Sequence, residues 1–144
     1  MGKNITNYIA YILATILIIL LSWVIYKQVK EYHLQDDPML HTLKEVLKPV
    51  HPIFNNLKLY KGDKSYTINK DKTFLCLYDE NGDYYPINHL IYVLLHEVSH
   101  SINTKDVGHT PEFHRIFDEL LDRANKIGVY NPSIPLVRNY CGGD

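Results

Sequence analysis

The stretch LLHEVSHSINTKDVGHTPEF (residues 94–113) sets three histidines and two glutamates within twenty positions. It opens inside an apolar run, LIYVLL (90–95), which predicts a buried helix from about 88 to 103. On that helix His96 and His100, four apart, project from one face about one turn from each other. Two imidazole nitrogens so placed can share one tetrahedral zinc ion. Glu97 is rotated by roughly 100° from His96, beside such an ion rather than on it, where its carboxylate can take a proton from a water. Chance supplies His-Glu-x-x-His about 0.02 times in a chain of this length and composition. Its context therefore has to account for it.

A catalytic zinc needs a third protein ligand and one open position. His109, Glu112, His114, Asp118 and Glu119 are the candidates. The metzincin continuation fails, because Asn103 and Asp106 stand where its Gly and third His belong. His109 is preferred as the third metal ligand. Gly108 can take positive φ and turn the chain, and Thr110 as N-cap with Pro111 at the first position opens a second helix, 111 to 127. Glu112 is the rival, as in the gluzincin arrangement; favourable charge in a helix's first turn explains it as well. His114 could polarise a carbonyl, or could be an ordinary surface histidine. Phe113, Ile116, Phe117, Leu120, Leu121, Ala124 and Ile127 share one helix face, and Gly128 ends it. The tail, VYNPSIPLVRNYCGGD, reads as irregular, and its Tyr130 and Tyr140 are either transition-state stabilisers or packing residues.

Upstream, KTFLCLYDENGDYYPI (72–87) holds a β-favouring run at 73–78 and an Asn81-Gly82 pair suited to a type I′ hairpin turn. Cys76 inside that run reads as a buried, reduced cysteine. Residues 57–66, rich in Tyr and Lys and interrupted by Gly62, suggest strands around a turn; the neighbouring lysines read as a solvated face and edge protection. Pro38 can begin a helix carrying Leu40, Leu43, Val46, Leu47 and Val50, stopped by Pro52. The expected fold class is α+β: a small antiparallel sheet packed on helices, one of them bearing the His-Glu-x-x-His motif.

The amino-terminal end differs in kind. YIAYILATILIILLSWVIY (8–26) has no charge in nineteen positions and is long enough for a transmembrane helix. Tyr8 and Tyr11 near one end, with Trp23 and Tyr26 near the other, suit the two interfaces. A signal peptide is the competing reading, disfavoured by the length of the run and by the absence of a small-x-small cleavage site in the KQVKEYH that follows. Two units are expected: an anchor at 1–30 and a metallopeptidase-like domain at 31–144, on a single-pass membrane protein. Lys3 before the span and Lys27 and Lys30 after it leave its orientation balanced. Gly2 with Thr6 fits the N-myristoylation pattern, which is read as fortuitous.

A formal charge of −1 over 144 residues gives no general attraction to nucleic acid. Two cysteines, Cys76 and Cys141, do not define a disulfide framework.

HEVSH, a short spacer and then GHTPEF resemble the SprT/WLM group of zinc metallopeptidases, and especially the small proteins of that type in large DNA viruses and protists. The likeness is best from residue 72 to about 130. It implies Zn2+ held by His96, His100 and His109, Glu97 as general base, and a protein or peptide substrate pairing with an upstream strand, for which 73–78 is the candidate. Members that act on proteins crosslinked to DNA carry extensions with no counterpart here, so no nucleic-acid partner is expected. The expected function is that of a membrane-anchored zinc metallopeptidase. The alternative is an inactive, zinc-stabilised interaction module, favoured if Glu112 or Cys141 closes the coordination sphere.

Overall fold

The computed structural model describes residues 2–143. They divide into two compact units, one ending at Leu34 and one beginning at Gln35. The first is the helix α1 (Gly2–Gln35), none of whose residues is buried. Its 34 residues make it about 50 Å long. By length and apolar composition it can cross a membrane, and a signal sequence would pass the same test.

The second unit is α+β. Its elements are α2 (Pro38–Leu47), β1 (Lys58–Lys61), β2 (Tyr66–Ile68), β3 (Lys72–Leu75), α3 (Ile87–Ile102) and α4 (Pro111–Lys126). Asp37 caps α2, accepting from the Met39 amide, and Pro38 occupies the first helical position. Leu40, Leu43 and Leu47 of α2 are buried, as the helical spacing predicted.

The sheet is mixed, which corrects the antiparallel expectation. Its order is β1-β3-β2, with β1 parallel to β3 and β2 antiparallel to it. The link 62–65 carries the chain from one edge to the other, and β3 then enters between β1 and β2, so those two form no hairpin. Gly62 sits in close quarters at this crossing: a Cβ there would stand 3.3 Å from the Phe74 Cβ and 3.1 Å from the Lys64 carbonyl.

The primed turn also lies elsewhere than expected. Asn69 and Lys70 both take positive φ (52° and 56°), and the Asp71 amide donates to the Ile68 carbonyl at 3.0 Å, so the turn of the β2–β3 hairpin centres on Asn69-Lys70, with Asp71 as an extra residue before the Ile68–Lys72 pair. At Asn81-Gly82 only the glycine has positive φ. There the Asp79 carboxylate accepts from the Asn81 and Asp83 amides, and a lone Tyr78–Tyr84 bridge closes the loop.

Cys76 is disulfide-bonded to Cys141 across a sequence separation of 65. This overturns the reduced-cysteine expectation and withdraws Cys141 as a metal ligand. Packing of the tail unites the pair: the Tyr140 hydroxyl donates to the Cys76 carbonyl, and the Cys141 amide donates to the Tyr85 hydroxyl. One hydrophobic core runs through the unit, joining α2, the inner side chains of β1 and β3, α3 and α4.

Candidate metal centre

α3 is buried along most of its length, with Leu90, Ile91, Leu94, Leu95 and Val98 between 0% and 1% exposed. That packing fixes the helix and turns His96 and His100 to its remaining open side. The chain then turns a corner through 103–110. The Asn103 side-chain carbonyl accepts from the Lys105 and Asp106 amides. The Asp106 carboxylate in turn accepts from the Asn103 amide group and from Thr110 Oγ1. Gly108 has φ +89° with open space around it, so conformation rather than room calls for glycine there. Thr110 Oγ1 accepts from the Phe113 amide and starts α4. His109, on this corner, is thereby returned to α3. The two residues that break the metzincin pattern, Asn103 and Asp106, are the ones that build the corner.

The nitrogens of His96, His100 and His109 converge, all within 4.8 Å of one another and close enough to hold one metal ion. His96 Nε2 and His109 Nε2 are 3.0 Å apart. Ring centroids stand 5.2 Å (His96–His100), 4.9 Å (His96–His109) and 5.0 Å (His100–His109) apart, close to an equilateral triangle. Phe113, fully buried, lies against all three rings, at 4.9 Å from His96, 4.4 Å from His100 and 4.9 Å from His109. Sequence periodicity marked Phe113 as core; nothing in it marked the residue as a floor beneath the imidazoles.

Burial, and then the neighbouring His100, His109 and His114, push the His96 imidazole down to about 4. Burial likewise lowers His100. Glu97 is 8% exposed; burial raises its carboxyl, while a hydrogen bond from Thr67 opposes that rise. Thr67, on β2, places its Oγ1 3.1 Å from Glu97 Oε2 and 3.1 Å from the Glu97 carbonyl. Sequence reasoning missed Thr67, whose only signal was membership of a short strand. A cleft of about 570 Å³ opens over the imidazoles and Glu97, bordered by Ser65, Tyr66 and Thr67 on one side and Val107 and Gly108 on the other.

The other candidates fall outside this group. Glu112 is held by Arg115 at 2.9 Å and by Lys105 at 3.5 Å, and the Arg115 hydrogen bond brings its carboxyl down to about 2. Glu119 pairs with Arg115 and Arg123, and Asp118 is exposed. His114 is exposed, its ring centroid 6.5 Å from that of His109. Tyr140's hydroxyl bonds Ser65 Oγ and the Cys76 carbonyl, and Tyr130 is buried in the core. Within the 73–78 run, residues 73–75 belong to β3, which lies between two strands and is no edge for a docking peptide; β2 is the edge that borders the cleft.

No protein-family model and no solved structure matches the chain. It is similar to the uncharacterized protein 136R of Invertebrate iridescent virus 6, 48% identical over 92 residues, which are 62% of this chain and 51% of that protein. It is also similar to the uncharacterized protein 042R of Invertebrate iridescent virus 3, 46% identical over 90 residues, 62% of this chain and 56% of that protein. The chain spans about half the length of the curated relatives it matches.

Proposed function

We propose that the second unit is a zinc metallopeptidase that hydrolyses peptide bonds, of the SprT/WLM-like kind, with His96, His100 and His109 as metal ligands and Glu97 as general base. The observation that carries the reading is the convergence of three imidazoles beside a buried carboxylate in an open cleft. The donor set fits the ion. Tetrahedral zinc with nitrogen ligands at 2.0–2.1 Å separates those nitrogens by roughly 3.3 Å, and His96 and His109 stand near that spacing. Burial keeps the His96 imidazole neutral, the form that ligates.

Zinc, when bound, supplies Lewis acidity toward a carbonyl and makes water more acidic. The chain's residues do the rest. Glu97 takes the proton of the attacking water and delivers it to the leaving amine. An extended substrate adds to the free edge of β2, so main-chain hydrogen bonds hold it across the cleft. Burial of Glu97 and α3 limits the competing water around the base. α1 anchors the unit to a membrane, and the disulfide favours an oxidising compartment for the unit.

The test uses the full chain in detergent micelles. Bound metal by elemental analysis should be about one zinc per chain in wild type and in Glu97→Gln, and fall sharply in His109→Ala. Wild type should cut an unstructured peptide and Glu97→Gln should not. Zinc in wild type with no cleavage would favour the inactive module, and folded wild type without zinc would sink both.

A further inference from the structure

We propose that Thr67 is the positioning residue for the base: its hydroxyl fixes the Glu97 carboxylate in the cleft and indexes it to the strand along which a peptide would lie. This rests on the peptidase reading for its kinetic consequence, though not for its geometry. Successive side chains of a strand point to opposite faces. In β2 this turns Tyr66 and Ile68 outward, each 42% exposed, and leaves the half-buried Thr67 directed at α3. Thr67 has one hydroxyl proton and two acceptors in reach on Glu97, the carboxylate oxygen and the backbone carbonyl, both at 3.1 Å. The ionised oxygen is the stronger acceptor. Thr73 Oγ1, fully buried on β3, lies 3.4 Å from Thr67 Oγ1 and can donate to it in turn. A file of hydroxyls, Thr73 to Thr67 to Glu97, then points one way and polarises toward the carboxylate.

The arrangement is economical in sequence terms. Thr67 is β-branched, which restricts χ1 and keeps the hydroxyl aimed. Its backbone belongs to the edge strand bordering the cleft, and its side chain belongs to the base. Distance between a docked peptide and the carboxylate is therefore set through one residue.

Thr67→Val keeps the shape and removes the donor, while Thr67→Ser restores a hydroxyl. In the full chain in micelles, Thr67→Val should hold the same zinc as wild type and lose roughly tenfold or more in kcat, with KM unchanged because substrate binding is not what was removed. Thr67→Ser should recover most of that loss. Independently of activity, the 13Cδ resonance of Glu97 in the metal-free protein, assigned by its disappearance in Glu97→Gln, should move in Thr67→Val and return in Thr67→Ser, with the Glu112 resonance as an unmoved reference. Wild-type kcat in Thr67→Val, or an unmoved Glu97 resonance, would overturn the proposal. If wild type cleaves nothing, the peptidase reading fails by itself and the resonance alone decides whether Thr67 holds Glu97.

Discussion

At the scale of single residues, protonation of the histidines sets what acid does to the fold. His96 is pushed from 6.5 down to about 4, so the folded chain prefers the neutral ring. A base whose folded value lies below its unfolded one contributes stability that is complete above the unfolded value. That stability drains away as pH falls toward the folded one. His89 adds to the same slope: it is 6% exposed, its Nδ1 accepts from the Val137 amide, and burial lowers it. The metal-free protein should therefore lose stability between pH 6.5 and about 4, read as a falling urea midpoint. His89→Phe should flatten part of that dependence. A midpoint independent of pH across the window would contradict the assignment. Phe113 shows a different residue-scale dependence, since one ring beneath three imidazoles ties their arrangement to core packing.

Among the elements, the β2–β3 hairpin is held by a turn that looks unfavourable in isolation. Lys70 sits at φ 56°, where a side chain costs roughly 1–2 kcal/mol. Its ammonium reaches the carbonyls of Asn103 and, at 2.8 Å, Asp106, on the corner that carries His109. Lys70→Ala keeps the strain and loses the bonds; Lys70→Gly loses the bonds and the strain. The glycine variant should be the more stable of the two by about 0.5–1 kcal/mol in denaturant titrations. Both should bind metal more weakly than wild type, by titration against a chelator. A glycine variant less stable than the alanine one by about 0.5–1 kcal/mol would mean the turn carries no strain. Such a turn was hidden from sequence reading, because Asn81-Gly82 is the stronger primed-turn signal and Asn69-Lys70 has no glycine. The helices were legible for a plain reason: Pro38, Thr110, Pro111 and Gly128 are local signals that act where they stand. So was the spacing of His96 and His100, which the helix itself enforces. Thr67 was not legible, since its importance depends on which strand lies against α3.

For the whole unit, the disulfide replaces what a small core alone would have to supply. Closing a loop of 65 residues removes about 4 kcal/mol worth of unfolded-chain entropy. Cys141→Ser, or reduction of wild type, should lower stability by about that amount in urea titration while leaving any metal binding unchanged, since neither sulfur lies among the three imidazoles. A loss of metal on reduction would instead show that the tail helps shape the centre. Long-range pairing of this kind has no trace in cysteine spacing; it arises where Tyr140 and Tyr85 seat the tail against the segment that follows β3.

The same bond also closes residues 76–141 into a covalent ring, and His96, Glu97, His100 and His109 all lie inside it. A single backbone cut inside the ring yields no separate pieces. The exposed corner at Val107, 83% accessible, is a natural place for one. A nicked molecule would run as one band on a non-reducing gel and as two after thiol treatment. The imidazoles on either side of the cut would remain tethered to the same core in the meantime.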